Sequence, residues 1–502
     1  MADGAGRSGL TRLGGARFLL TDGAHLLQMP AMDTARLKEF TDALWNSEII
    51  DRITEYIRIP NQSPLFDPDW QAHGHMDAAV GLAYDWVKKQ GIKGAKVEVL
   101  RIEDRTPTLL MEVEGTLPGS VLLYGHLDKQ PPFEGWRTEE GLGPWTPVIV
   151  DGRLYGRGGA DDGYAVFASV AAIGALQEQG IPHPRLVVLI ECSEESGSPD
   201  LPYYIDAYSD RIGTPDLVVC LDSGCGDYDR LWNTTSLRGV VVGTLKVNVL
   251  NEGVHSGDAS GIVASSFRVI RELLGRIEES ATGKTLPDFL DAEIPAARVD
   301  QAQVAAEVLG EAVYTKFPFR EGMKPMAPLL PELILNRTWR SALSVTGQEG
   351  LPPLENAGNV LRPGTSLKLS VRVPPTACSA TVAGQLKDLL EANPPHDATV
   401  EFVPEHPGDG WNAPALAPWL EQLTTEASEL YFSNPPCSMG EGGSIPFMGM
   451  LGEKFPQAQF LITGVLGPQS NAHGPNEFLH LECARKITAS VAYILARFGE
   501  VR

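Results

Sequence analysis

Along this chain, acidic and histidine residues stand where apolar, β-like runs end, and that placement constrains the fold more than any other feature. Val121-Leu122-Leu123-Tyr124-Gly125 runs into His126 and Asp128, Arg185 to Ile190 leads into Glu194-Glu195, and Asp216 to Leu221 stops at Asp222. Phe460 to Val465 precedes a loop carrying His473, and Asp161 sits in the segment Gly156-Arg157-Gly158-Gly159-Ala160-Asp161-Asp162. In open α/β sheets, ligands bind outside the carboxyl ends of the strands, so polar residues placed there converge on one crevice although sequence separates them widely. The set holds enough imidazole and carboxylate donors for two zinc ions, and a co-catalytic metal site is the expected product.

Composition sets the frame for that site. At 502 residues and 43% hydrophobic, the chain exceeds the about 250–300 residues at which a single core stops growing, so two domains are expected. A net charge of -23 speaks against a nucleic-acid partner, which would need Lys/Arg patches to displace counterions. It favours a small uncharged or zwitterionic substrate. Six cysteines without close-spaced pairs of zinc-finger type read as reduced thiols of a cytoplasmic protein, with Cys192 and Cys220 buried in their apolar runs. The first 31 residues differ in character from the rest of the chain. Their apolar stretch around Phe18-Leu19-Leu20 is interrupted by Asp22 and His25, which suits neither a signal-peptide core nor a bilayer span. The segment reads as a disordered or dispensable extension, and the helical periodicity of Leu37, Phe40, Leu44, Ile49 and Ile50 fits an internal start at Met32.

From Met32 to about Thr235, helices and then strands alternating with helices read as an α/β layer. A helix is expected over Asp77 to Gln90, strands over Lys96 to Leu100 and Thr108 to Val113, and an Ala-rich helix over Tyr164 to Gln179. The pattern then shifts. Leu245 to Leu250 alternates, Ala264 to Ile277 is helical, Leu367 to Val373 alternates, Ala380 to Leu390 is helical, and Thr399 to Val403 closes the set. This resembles a β-α-β-β-α-β unit with a long Pro-rich insertion between about Thr282 and Pro363. The chain afterwards returns to the first domain through a helix near Pro414 to Leu430, a strand at Phe460 to Val465 and a helix from Leu481 to Phe498. The expected organisation is an extension over 1–31, a catalytic domain over 32–236 and 413–502, and an inserted domain over 237–412.

Each motif has an ordinary reading beside its chemical one. Residues i and i+2 on a strand point the same way, so Asp128 can hold the environment of His126, the support that metal-binding histidines require. The ordinary reading is a structural pair. Glycines before Asp161 permit close backbone approach, and a helix N-terminus tolerates a carboxylate; the alternative there is helix capping by Asp161 or Asp162. Adjacent carboxylates such as Glu194 and Glu195 repel unless a metal neutralises one while a proton or water engages the other, or unless the loop is simply solvated.

Taken together, these pieces resemble a known family, the co-catalytic zinc hydrolases that include aminoacylases, glutamate carboxypeptidases and carnosine-type dipeptidases. The matching residues are Gly125-His126-Leu127-Asp128, Gly156-Arg157-Gly158 with Asp161-Asp162, Glu194-Glu195-Ser196-Gly197-Ser198, Asp222, His255-Ser256-Gly257, Glu441-Gly442-Gly443-Ser444-Ile445-Pro446, and His473 with Asn476-Glu477. They occur in the family's order, and the dipeptidase branch is the nearest match. The resemblance implies an α/β catalytic domain with a mixed central sheet flanked by helices, and an inserted α+β ferredoxin-like lid that dimerises. It implies two Zn2+ per chain, with Mn2+ or Co2+ as substitutes. Asp161 would bridge the two ions, with His126 and Asp222 completing one site and Glu195 and His473 the other. By the same match Asp128 orients His126, Glu194 is the general base, and His255 is an oxyanion donor that similar dipeptidases supply across the subunit boundary. Arg372, in Ser370-Val371-Arg372-Val373-Pro374, is the candidate clamp for a substrate carboxylate, and Gly442, Gly443 and Ser444 can present backbone N–H groups to it.

Two positions depart from the family pattern. Gly163-Tyr164 stands where Lys-Gly often follows the paired aspartates, and Gly440 where an arginine often precedes Glu-Gly-Gly-Ser. Neither replaces an expected ligand or the base, so the departures bear on substrate preference. The expected activity is a dinuclear zinc peptidase acting on dipeptides or short peptides with a free C-terminus, working as a homodimer without nucleic acid or membrane. Alternatives are an N-acyl-amino-acid amidohydrolase using the same chemistry and a non-catalytic metal-binding assembly protein, against which the retention of Glu194 and Asp128 speaks.

Overall fold

A computed structural model of the chain describes residues 32–405 and 407–501, with the backbone of three short segments before them. Those segments, Thr11–Leu13, Ala16–Leu20 and Leu26–Gln28, pair antiparallel in chain order. The rest of the first 31 residues, and with it the expectation of a disordered extension, lies outside the described residues. The chain divides into two compact units: Met1–Asn233 with Pro414–Cys437 and Leu451–Arg502, and Thr234–Ala413 with Ser438–Met450.

Two sheets carry the architecture. In chain order their strands are β1 (Ala95–Leu100), β2 (Thr108–Val113), β3 (Ser120–His126), β4 (Arg185–Glu191), β5 (Leu217–Cys220), β6 (Gly239–Asn248), β7 (Ala342–Glu349), β8 (Gly364–Val373), β9 (Thr399–Pro404) and β10 (Gln459–Ile462). The helices that matter here are α1 (Tyr164–Glu178), α2 (Ser266–Leu274), α3 (Leu330–Thr338), α4 (Ser379–Glu391) and α5 (Leu481–Val501).

The first unit holds a six-stranded sheet in the order β10-β5-β3-β4-β2-β1. β10, β5, β3 and β4 run parallel, and β2 and β1 add an antiparallel edge. The parallel strands are continuous apolar runs because both faces of such a sheet are covered, which removes the in/out alternation of a half-solvated strand. Side chains from Val121 to His126, Leu186 to Glu191 and Leu217 to Cys220 are accordingly all buried. α1 is buried from Tyr164 to Leu176, and its alanines let it lie close under β3 while α5 packs on it. Gly125 marks a close approach of β3 to α1. A Cβ placed there would stand 2.6 Å from the Cβ of Ala165 and 2.7 Å from Oδ2 of Asp162. Cys192 and Cys220 are buried free thiols.

The second unit is built on a four-stranded antiparallel sheet in the order β7-β8-β6-β9. Numbered within the unit, that order is 2-3-1-4, the ferredoxin-like arrangement of a β-α-β-β-α-β chain. β6 and β8 alternate strictly in burial, because only one face is covered. On that face Val241, Leu245, Leu369 and Val371 meet Val269 and Ile270 of α2 and Leu386 and Leu390 of α4. β7 falls inside the stretch expected to be a Pro-rich insertion. It is an edge strand, mostly exposed and without alternation, so periodicity leaves no trace of it. Among the described residues, no helix is long and apolar enough to cross a membrane.

Because Gly125, within β3, faces the Cβ of Ala165 at the start of α1, Gly125→Ala forces backbone shifts rather than a side-chain adjustment. The substitution is expected to cost about 1–3 kcal/mol, the usual range for overpacking a tight core, and denaturant unfolding of the variant beside the parent measures it.

Candidate metal centre

Parallel strands in adjacent register end at the same level, and here each delivers a polar group. His126 closes β3 opposite Glu191 of β4, Glu194 and Glu195 follow β4 in a short turn, and Cys220 closes β5 opposite Tyr124 and Ile462, with Asp222 just beyond. Asp161 comes from the buried turn Gly159–Gly163 that precedes α1, and its peptide bond to Asp162 is cis. Nε2 of His126 lies 3.2 Å from Oδ1 of Asp161, 3.8 Å from Oδ2 of Asp222 and 4.0 Å from Oε2 of Glu194. Nε2 of His473 lies 3.1 Å from Oδ2 of Asp161 and 3.4 Å from Oε2 of Glu195. Asp161 thus turns one oxygen to each of two imidazoles. Donor atoms of His126, Asp161 and Glu195, and of His126, Glu194 and Asp222, lie within 4.8 Å of one another. Glu194, expected as a base, therefore shares the space of the ligand set.

The electrostatics arise from crowding. Burial, reinforced by Asp161, raises the Glu195 carboxyl to about 8, and burial with the charge of Asp222 raises Glu194 well above its ordinary range. Burial opposes charge on His473, but its hydrogen bond to Asp161 and the charge of Glu195 win and lift it to about 9. Four carboxylates around two imidazoles in a largely buried space are unfavourable unless cations offset them. Imidazole nitrogen mixed with carboxylate oxygen is a donor set suited to zinc and related divalent ions. These residues fit a metal site.

Asp128 is the support of the set. It accepts hydrogen bonds from the backbone N–H groups of Glu194 at 3.1 Å and Glu195 at 2.9 Å, and its Oδ1 lies 3.4 Å from Nδ1 of His126. The backbone carbonyl of Asp128 stands 3.1 Å from the same Nδ1, so one residue, its carboxylate fully buried, faces the imidazole and holds the two-glutamate turn. Four further groups have no role that sequence reasoning assigns. Asp162 accepts the His126 backbone N–H at 3.3 Å. Glu191, raised to about 7 by burial and by Asp128, accepts from Tyr124, Ser198 and Ser193. Arg157 and Glu477 form a buried ion pair at 2.5 Å. Arg157 also donates to the carbonyls of Gly474 and Pro131, and Glu477 accepts from the Gly158 N–H. The pair ties the loop bearing His473 to the turn bearing Asp161. Its sequence signal is present, since Gly156-Arg157-Gly158 and Asn476-Glu477 both belong to recognisable motifs, but spacing alone does not reveal that they meet.

The remaining candidates lie in the second unit. His255 is exposed, in a short strand paired with Val360–Leu361, and its Nδ1 accepts the Gly257 N–H at 3.1 Å. Arg372 lies on β8 opposite Val240 of β6 and Ala342 of β7. The Gly442 carbonyl accepts from Nε of Arg238 at 3.3 Å, and a Cβ on Gly443 would meet nothing within 4 Å. Ser444 comes next in the same unit.

Residues 122–497 match the profile of peptidase family M20/M25/M40. The chain belongs to this family. Among relatives of this M20/M25/M40 peptidase, the cysteinylglycine-S-conjugate dipeptidase of Corynebacterium striatum is 27% identical over 463 residues, covering 88% of this chain and 94% of the relative. Human Beta-Ala-His dipeptidase is 25% identical over 460 residues, 84% of each chain. The solved structure of the dipeptidase Dug1p from Saccharomyces cerevisiae shares the fold, with a TM-score of 0.71 at 22% identity over 93% of this chain and 99% of that one. The family and the donor cluster together make the chain a metal-dependent peptidase.

Removing one member of the Arg157–Glu477 pair leaves the other charge buried and alone. Arg157→Met is expected to lose about 3–5 kcal/mol, read by denaturant unfolding, and to weaken divalent-metal binding by loosening the His473 loop, read by calorimetry.

Proposed function

We propose that this peptidase is a dinuclear zinc dipeptidase that hydrolyses the amide bond of dipeptides or short peptides with a free C-terminus. The observation that carries the reading is Asp161, whose two oxygens face two imidazoles, each attended by a further carboxylate. That is the disposition of a bridging ligand between two cations. In this reading Asp161 is shared, His126 and Asp222 serve one Zn2+, and Glu195 and His473 the other, with Mn2+ or Co2+ as substitutes. The bound ions supply Lewis-acid polarisation of the carbonyl and a more acidic water.

The protein's own groups do the rest. Glu194 accepts a proton from water as the water oxygen attacks the amide carbon, then passes that proton to the departing nitrogen as the C–N bond breaks, leaving a carboxylic acid and an amine that exchange the acid's remaining proton to end as carboxylate and ammonium. Asp128 holds His126 and the Glu194 turn in place. Arg372 clamps the peptide's terminal carboxylate with a bidentate fork, and the backbone around Gly442, Gly443 and Ser444 presents N–H donors to it. The first unit is the catalytic domain and the second a lid through which two chains form a homodimer, His255 reaching the partner's site. Cysteines outside any disulfide, four of the six buried, and a net charge of -23 fit a cytoplasmic enzyme.

Metal-loaded protein is expected to carry about two divalent ions per chain and to lose activity on chelation, as elemental analysis and a dipeptide assay will record. Glu194→Gln should keep its metal and lower turnover by at least about 10²-fold, the scale of a lost general base. Full activity after exhaustive chelation, or near-parental turnover in Glu194→Gln, would refute the reading. Running N-acetyl amino acids beside dipeptides separates a deacylase from a peptidase.

Inactive His255→Ala and inactive Glu194→Gln chains, mixed, should recover part of the activity through heterodimers with one intact site. Heterodimers seen by mass spectrometry without recovery would remove His255 from the partner's chemistry.

A further inference from the structure

The second unit carries a concentration of positive charge that the fold does not neutralise. Arg238 stands two residues before Val240, which is paired with Arg372, and Arg337 occupies the last turn of α3, shortly before the strand that pairs with Arg372 on its other side. A Cβ built on Gly442 would stand 3.2 Å from an Nη of Arg238 and 3.2 Å from Cγ of Arg337. Glycine at 442 therefore allows the chain to pass between the two arginine side chains. Arg238 is buried and spends its donors on carbonyls, those of Gly442, Asn336 and Arg340. Burial, with Arg372 and Arg337 nearby, pushes it down to about 10. Arg337 donates only weakly, to the sulfur of Met439 at 3.3 Å, and its Nε is shut from solvent with no partner among the described residues. Burial also lowers Arg337 and Arg372. Glu441 is the one carboxylate whose charge offsets Arg337, and none of the three arginines has an ion pair among the described residues.

Guanidinium groups stay charged at any pH a protein survives, so buried ones must find acceptors. Backbone carbonyls satisfy Arg238. Arg337 and Arg372 retain donor capacity, and the fork geometry of each matches a carboxylate.

We propose that Arg337 and Arg372 form a two-carboxylate site, so that the preferred substrates are peptides whose C-terminal residue has an acidic side chain. Resting on the reading that Arg372 takes the terminal carboxylate, Arg337 is the specificity-determining residue that takes the second one, and Arg238 is the buried cation that holds the Gly442 carbonyl beside Arg337. The ligand class is an aspartyl or glutamyl C-terminus, distinguished from its amide by charge alone.

The test compares Ala-Glu with Ala-Gln and Ala-Asp with Ala-Asn on the metal-loaded full chain. Each acid should exceed its amide in kcat/KM by about 10-fold or more, mainly through KM, the scale of one charge-assisted hydrogen-bonded contact. Arg337→Gln should bring the acid-to-amide ratio near one, and Arg337→Lys should restore part of the ratio. Equal rates for acid and amide in the parent would overturn the proposal while leaving the dipeptidase reading intact, and this arm needs no variant to fold. Equal losses on acid and amide in Arg337→Gln would make Arg337 structural and overturn it as well. A chain that cleaves none of the four dipeptides would defeat the functional reading and the inference with it.

Discussion

Repulsion among buried carboxylates is the constraint on which the rest of the first unit depends. Two unit charges about 4 Å apart interact by about 4 kcal/mol at the effective dielectric of a protein edge, and oxygens of Asp161 and Glu195, and of Glu194 and Asp222, lie within 4.8 Å of one another. Such a set cannot be assembled on mobile loops, because the loops would simply move apart. Parallel strands solve the problem. β3, β4 and β5 end in adjacent register, so the groups at their ends are held together by an apolar sheet buried on both faces. Hydrophobic burial across that sheet offsets the electrostatic cost at its edge, as stabilising scaffold and strained site commonly divide the work.

Positioning costs more buried polar groups. Asp128 faces His126 and two backbone N–H groups, Glu191 gathers three hydroxyls, and Arg157 and Glu477 are sealed from solvent. A buried ion pair seldom stabilises more than a well-packed apolar pair of the same volume would. Its value here lies in geometry, since Arg157 and Glu477 join two segments more than 300 residues apart that deliver His473 and Asp161. The turn after β4 shows the same economy. A single residue, Asp128, faces one imidazole through its carbonyl and holds both glutamates through its carboxylate, so an error in any one is shared by all.

Much of this is legible in the sequence because it rests on patterns that sequence records. Continuous apolar runs ending at His126, Glu194, Asp222 and before His473 report parallel strands, and strict alternation in Leu367 to Val373 reports a half-covered sheet. The unread parts have physical reasons. β7 is an exposed edge strand with nothing to pattern it. The start of β6, Gly239 to Thr244, lies before the recognisable alternation, because Gly239 and Gly243 interrupt the apolar side of the strand. The Arg157–Glu477 pair and the Arg238–Arg337–Arg372 grouping depend on contacts between distant segments, and no local periodicity encodes those. Gly440 departs visibly from the family pattern, yet only the structure shows that its Cα faces Ser236 and Thr338 so closely that any side chain would collide.

Net charge is a poor guide to what such a protein selects. A balance of -23 argues for uncharged or zwitterionic ligands only if the whole surface acts on the ligand, and at physiological ionic strength fields fade within about 8 Å. Around Arg337 the local balance is reversed: Arg238 and Arg337 both stand against Gly442, Arg372 adds its charge near Arg238, and Glu441 is set against Arg337. Acidic side chains spread over the remaining surface repel other anionic macromolecules, while a partly desolvated arginine pair discriminates by hydrogen-bond geometry that salt does not screen. The two effects act at different ranges, so a strongly acidic chain can still choose an acidic ligand.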